Sequence, residues 1–351
     1  MSFEQFTADE LEVKRSVPCF KGSLEIYNTP ISSRENILRL YQGKTPMWIP
    51  FSGEPVDVMA DCDPENQARS PENQGGIDGW GVEWVFVPAV GGAMVKPGNP
   101  KVTDIDKWEE VLTVPHPEQW DWAGCYERSK GKMESDRAFK IGVGSCLFER
   151  LIAVMDYGNA AVALIDDDQK ESVHRFFRAV TDARKEYYFQ MKKWFNPDIV
   201  NFNDDWGTQR AESFSVATAR EMLLPYVKET VDYVHSLGMY MDLHCCGFVE
   251  NFVPLFIEAG FDSWGGQPLN DKAKLKKRYG DQMVFSHDID LPADCSDAEL
   301  NAAVEKYMTE FGFDNRVFFC GGPDNPRLQR AVYEASRRNF DRLVAEGKAI
   351  L

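Results

Sequence analysis

The chain has 351 residues, 43% of them hydrophobic, enough for one large core, and α/β barrels of this length are commonly a single domain. Acidic residues outnumber basic ones 56 to 39, a formal charge of −17 that excludes nucleic acid and anionic membrane as electrostatic partners. No apolar run approaches the roughly 20 residues of a membrane span. The start, Met1 to Arg15, carries Glu4, Asp9, Glu10 and Glu12, the wrong charge for a targeting peptide, and eight cysteines without paired spacing read as reduced thiols of a cytoplasmic protein.

In chain order, Glu35 to Leu40 predicts a short amphipathic helix and Met47-Trp48-Ile49-Pro50-Phe51 a first buried strand. The aromatic stretch Gly76 to Val90, bounded by glycines, predicts a hairpin or irregular extension, and Lys96-Pro97-Gly98-Asn99-Pro100 a loop. Strands are expected at Phe139–Val143, Asp198–Phe202, Met239–Leu243, Phe261–Trp264, Met283–Ser286 and Val317–Phe319. Between them, helices are expected from Leu147, over Ser172–Phe195, Ala217–Leu237 (stopped by Gly238), Val249–Ala259, Leu269–Tyr279 and Asp297–Phe311, and finally over Pro326–Ala345. Such regular alternation predicts a parallel sheet, and about eight candidate strands favour a closed (β/α)8 TIM barrel over an open doubly wound sheet. Residues 1–33 are expected to be an N-terminal extension and 34–351 one barrel domain.

In a barrel, chemistry gathers at the carboxyl ends of the strands. Four successive strands here end in Asn203-Asp204-Asp205-Trp206-Gly207, His244-Cys245-Cys246-Gly247, His287-Asp288 and Cys320-Gly321-Gly322. Each residue alone has a plainer reading. His244 is as well read as a hydrogen-bonded core histidine, Cys246 as a small buried apolar residue, and Asp204-Asp205 as a helix cap. Together, His244, Cys246 and Cys320 supply one imidazole and two thiolates, a zinc ligand set that leaves a position open, which is the catalytic rather than the structural pattern. Strand alternation puts His244 and Cys246 on one face and turns Cys245 to packing. Asp205 and Glu149 are candidate oxygen ligands or acid–base groups, and His287 a candidate pocket residue. His116, His174 and His235 are expected on loops or helices without a role. Gly142-x-Gly144 lacks the rest of a dinucleotide fingerprint.

His244-x-Cys246-Gly247 with Cys320 resembles the His-x-Cys…Cys zinc motif of cobamide-dependent methyltransferases in the uroporphyrinogen decarboxylase superfamily. Arg34 to Leu40 with Thr45-Pro46 and Ile49-Pro50 is similar to that family's opening helix and first strand. Trp80-Gly81-Val82-Glu83-Trp84, Val95 to Pro100 and Asp204 to Gln209 resemble the branch that demethylates methoxylated compounds. The resemblance covers residues 34–345. It implies a uroporphyrinogen decarboxylase-like TIM barrel, Zn2+ on His244, Cys246 and Cys320, and catalytic roles for Asp205, Glu149 and His287. It also implies Trp206, Gly247 and Gly321 as positions facing a corrinoid (cobalamin) cofactor, which a partner corrinoid protein carries. The expected partners are that protein and a small-molecule methyl donor, with a homodimer as a candidate assembly.

Two readings of the reaction follow. Zinc polarises the oxygen of a methyl ether whose methyl group passes to Co(I), or it activates a thiol (coenzyme M-like) that accepts a methyl group from a cobamide, with tetrahydrofolate as a further acceptor. Two thiolates lower the metal's Lewis acidity and suit the thiol, whereas the supporting segments favour the methoxylated, aromatic substrate, which is the preferred reading. A decarboxylase of the superfamily is disfavoured, because Phe51 to Asp57 offers acids and no arginine for a polycarboxylated substrate. A barrel whose zinc is only structural is the non-catalytic alternative.

Overall fold

Residues 4–19, 22–90, 92–320 and 325–351 are described in a computed structural model of the chain. An antiparallel hairpin, β1 (Val13–Cys19) and β2 (Gly22–Tyr27), precedes α1 (Ser33–Tyr41), β3 (Val56–Met59) and α2 (Pro64–Arg69). Three antiparallel strands follow, β4 (Gly75–Ile77), β5 (Glu83–Val87) and β6 (Gly92–Val95), and these are the expected hairpin with one strand added. Beyond them come β7 (Phe139–Gly142), α3 (Phe148–Met155), α4 (Lys170–Phe195), β8 (Ile199–Asn203), α5 (Val216–Met222), α6 (Leu224–Ser236), β9 (Tyr240–His244) and α7 (Val253–Ala259). The chain continues through β10 (Ser263–Trp264), α8 (Lys272–Tyr279), β11 (Val284–His287), α9 (Asp297–Glu310), β12 (Val317–Phe319) and α10 (Pro326–Ala345). Pairings β7–β8, β8–β9, β10–β11 and β11–β12 are all parallel. The fold is α/β, of the TIM-barrel class.

The chain divides into two compact units. One comprises Met1–Val56, Met133–Phe139 and Asp262–Leu351, and the other Asp57–Lys132 and Lys140–Phe261. In the first, the expected strand Met47–Phe51 is reduced to an isolated parallel bridge, in which Phe51 pairs with Phe319 and the Phe319 N–H donates to Pro50 O at 2.9 Å; Pro46 and Pro50 have no N–H for a longer ladder. Trp48, Ile49, Val317, Phe319, Val332 and Phe340 build its core. The segment before residue 34 is integral to that unit. Fully buried Arg337 on α10 donates to Glu10 at 2.7 and 2.9 Å, and Tyr333 donates to the same carboxylate at 2.8 Å. A buried guanidinium needs such a partner, since leaving either charge alone costs about 3–5 kcal/mol.

The second unit has its own buried ion network. Glu65 faces Arg150 at 2.5 Å and Arg184 at 2.9 Å, while Arg150 also meets Asp78 at 2.5 Å. Burial opposes ionisation of Glu65, but Arg150, Arg184 and Arg69 outweigh it and hold the carboxyl well below its usual range. Two further elements differ from expectation for local reasons. The helix expected over Ala217–Leu237 is broken at Leu223, because Pro225 lacks an N–H and is tolerated only in the first turn of α6. Strand β3 alternates buried and exposed residues over only four positions beside Pro55, too short a run to read as a period.

Candidate metal centre

Strands β8 and β9 pair in register, so that Asn203 lies opposite His244 at their carboxyl ends. The two loops that leave these ends are tied together: Asp204 N–H donates to His244 O at 3.0 Å and Phe248 N–H to Thr208 O at 2.8 Å. Gly247 sits at φ +85°, and a Cβ there would lie 2.3 Å from the Gly207 carbonyl carbon, so the loops approach at a distance that only glycine permits. This backbone arrangement brings Asp205, His244 and Cys246 together.

The Cys246 Sγ lies 3.3 Å from His244 Nε2, and His244 Nε2 lies 3.8 Å from Asp205 Oδ1. All three donor atoms fall within 4.8 Å of one another. Zinc bound at about 2.0–2.3 Å to each ligand of a tetrahedron separates neighbouring donors by roughly 3.3–3.8 Å. The imidazole–thiol and imidazole–carboxylate distances match that edge, so the residues fit the metal that the sequence implies. Electrostatics agrees. Burial first, and then the carboxylates of Asp205 and Glu149, push the Cys246 thiol up to about 12. A thiolate at this position therefore requires a cation beside it. The Cys246 N–H donates to Asp205 Oδ1 at 2.6 Å, which fixes the carboxylate relative to the sulfur.

Glu149 is the second residue of α3, just after β7. Burial, reinforced by Asp205, pushes its carboxyl up to about 8, and Arg69 opposes the rise. Asp204 is completely buried; its side chain accepts the Glu149 N–H at 2.8 Å and the Trp206 indole N–H at 2.7 Å, and burial raises it to about 6. Trp206 packs edge-on against Phe252 and tilted against Phe214 and Phe256, and its main-chain N–H donates to the Cys245 thiol at 3.4 Å.

The other expected site residues belong to the first unit. Cys320 follows β12 and its N–H donates to His287 O at 2.9 Å. His287 ends β11 with its ring against Phe311, centroids 3.8 Å apart, and burial, with Lys272 nearby, lowers it to about 4. Gly321 lies outside the described residues. The structure thus gathers four of the expected residues in one unit (His244, Cys246, Asp205 and Glu149), with Trp206 and Gly247 forming the frame that holds them. Sequence reasoning missed Arg69, at the end of α2, and Asp204's hydrogen bonds. The six-residue α2 shows no periodicity, and nothing in the order of residues marks a contact 55 positions apart.

No family profile matches the chain, and no curated protein matches it. Among solved structures, a methyltransferase from Methanosarcina mazei aligns with 89% of this chain and 99% of its own, at 14% identity and a TM-score of 0.62, which shows a shared fold. A D-psicose 3-epimerase from Clostridium cellulolyticum H10, with D-tagatose, aligns at 10% identity over 70% of this chain and 86% of its own, with a TM-score of 0.32. A xylose isomerase-like TIM barrel protein from Mycobacterium smegmatis, in complex with magnesium, aligns at 12% identity over 63% and 78%, with a TM-score of 0.29. The last two superpositions are too poor to inform on this chain.

Proposed function

We propose that the chain is a zinc-dependent methyltransferase that moves the methyl group of a methoxylated aromatic substrate to the Co(I) of a corrinoid carried by a partner protein. One observation carries this reading: imidazole, thiol and carboxylate converge at the carboxyl ends of two paired parallel strands, at distances that suit zinc. The name of the Methanosarcina structure and the His-x-Cys…Cys resemblance support it. His244 and Cys246 are the proposed ligands in the second unit. Asp205 is the oxygen donor beside them, and these three leave one position of a tetrahedron open; the expected ligand Cys320 belongs to the first unit.

A zinc ion bound there supplies Lewis acidity at the ether oxygen, which makes the departing alkoxide or phenoxide a better leaving group. The protein's own residues do the rest. Asp205, anchored on the Cys246 N–H, fixes the donor geometry. Glu149 holds a proton at its half-buried position and would give it to the leaving oxygen as the carbon–oxygen bond breaks and the methyl group leaves for its Co(I) acceptor. Trp206 and Gly247 keep the two loops at the spacing the site needs. One thiolate and one carboxylate make this trio harder than the two thiolates and one imidazole expected from the sequence, which favours the ether over the thiol as substrate.

The test is zinc content together with methyl transfer to free Co(I) cobalamin, read from the cobalt absorption spectrum, over methoxyarenes, methanol and methylated thiols. About one zinc per chain is expected, with methylation from a methoxyarene that falls at least a hundredfold in Cys246→Ala and His244→Ala. A wild-type protein without zinc, or variants that methylate as well as wild type, would reject the proposal. Transfer seen only with thiols would replace it with the thiol reading.

A further inference from the structure

Helix α3 begins without a cap of its own. Leu147 stands at its N-cap and supplies no side-chain acceptor, although the first N–H groups of any helix lack intrahelical partners. Asp204 fills that place from 55 positions away, accepting the Glu149 N–H at 2.8 Å, and its negative charge also suits the positive end of the helix. Its second oxygen takes the Trp206 indole N–H at 2.7 Å, and its main-chain N–H donates to His244 O at 3.0 Å. One completely buried residue therefore touches α3 at Glu149, the loop after β8 at Trp206 and the end of β9 at His244. The next residue in the chain is Asp205, bonded to the Cys246 N–H.

Resting on the metal reading above, we propose that Asp204 is the positioning residue of the centre: it sets the proton donor Glu149 and the oxygen donor Asp205 in register with His244 and Cys246. It touches no ligand atom of the trio itself. A cap that served only α3 would need one carboxylate oxygen. Here the second oxygen is committed to Trp206 in the loop after β8 and the backbone amide to His244 at the end of β9, an arrangement that couples helix, loop and strand through a single residue. Supporting residues of this kind orient metal ligands in other sites, and their loss costs about 10–100-fold in affinity.

Asp204→Asn tests this with little change of shape. The amide oxygen can still accept from Glu149, but its NH2 group then confronts the indole N–H of Trp206, donor against donor. Trp206→Phe removes that N–H while keeping an aromatic ring against Phe214, Phe252 and Phe256, so the double variant relieves the conflict and preserves the packing. The full-length protein, stripped of metal, is titrated with Zn2+ and separately with Co2+, whose ligand-field and thiolate charge-transfer bands report coordination directly. Circular dichroism checks folding. In D204N the zinc Kd should rise about 10–100-fold and the Co2+ bands should shift. In D204N/W206F the affinity should recover at least threefold over D204N. A folded D204N that binds zinc within twofold of wild type, with an unchanged cobalt spectrum, would reduce Asp204 to an ordinary helix cap and overturn the inference. Failure of the wild-type protein to bind either ion would instead overturn the metal reading, and the inference with it.

Discussion

Carboxylates in this protein behave differently according to what surrounds them, and Asp63 shows how far that can be tested. It caps α2, accepting the Glu65 N–H at 2.8 Å, yet it is 2% exposed and stands next to the anionic Glu65. Burial first, and Glu65 second, push its carboxyl up to about 6, with Arg184 opposing. An unfolded aspartate titrates near 3.9. Between those values the folded chain holds a proton that the unfolded chain has lost, so stability is fully present below about pH 4 and declines as pH rises through 6. Holding the carboxyl at about 6 in the folded chain makes ionised Asp63 cost roughly 2–3 kcal/mol. Asp63→Asn keeps the capping oxygen and cannot ionise. Its stability relative to wild type, from urea melts, should therefore rise by that amount between pH 4 and pH 7.5. A difference that stays constant across this range would mean that Asp63 is ionised in the folded protein throughout.

At the scale of elements, the site depends on two loops that must nearly touch. Gly247→Ala would place a methyl group 2.3 Å from the carbonyl carbon of Gly207, in a backbone conformation that non-glycine residues rarely adopt. The loop after β9 must then shift, carrying His244 and Cys246 away from Asp205. We expect G247A to lose zinc affinity by at least tenfold while the far-UV spectrum stays near wild type, and titration with Co2+ would show it. Unchanged cobalt bands would mean that the close approach is not what holds the donors. The sequence made the strand ends legible here because alternation with period two and glycine stops are local signals. His244 and Cys246 could be assigned to one face from spacing alone, and α10 was readable to the residue because Pro326 opens it and its apolar period is unbroken. What could not be read was long-range. The cap that Asp204 gives to α3, the Glu10–Arg337 pairing and the register that sets Asn203 beside His244 join residues far apart in the chain, and no local pattern encodes them. The four-residue β3 escaped for a different reason, its length being close to the shortest run that shows a period at all.

At the scale of the whole molecule, the location of the metal donors predicts how metal and stability are coupled. Asp205, His244 and Cys246 all belong to the unit formed by Asp57–Lys132 and Lys140–Phe261, so an ion bound to them stabilises that unit directly. At a free zinc concentration 100 times Kd, a site that exists only in the folded state adds about 2.7 kcal/mol. Unfolding entropy is about 2.1 cal/mol/K per residue. If the 351 residues melt as one transition, removal of zinc should lower Tm by about 4 °C. If the unit of about 200 residues melts by itself, the same free energy is spread over less entropy and the shift should be about 6 °C, with a second transition that ignores zinc. Calorimetry with and without a chelator separates the two cases, and the same scans on His244→Ala supply the control. A Tm indifferent to chelation in the wild type, or a shift that persists undiminished in H244A, would show that whatever zinc the protein binds is held elsewhere. A shift confined to one of two transitions would assign the metal to the second unit by thermodynamics alone, independently of any assay of methyl transfer.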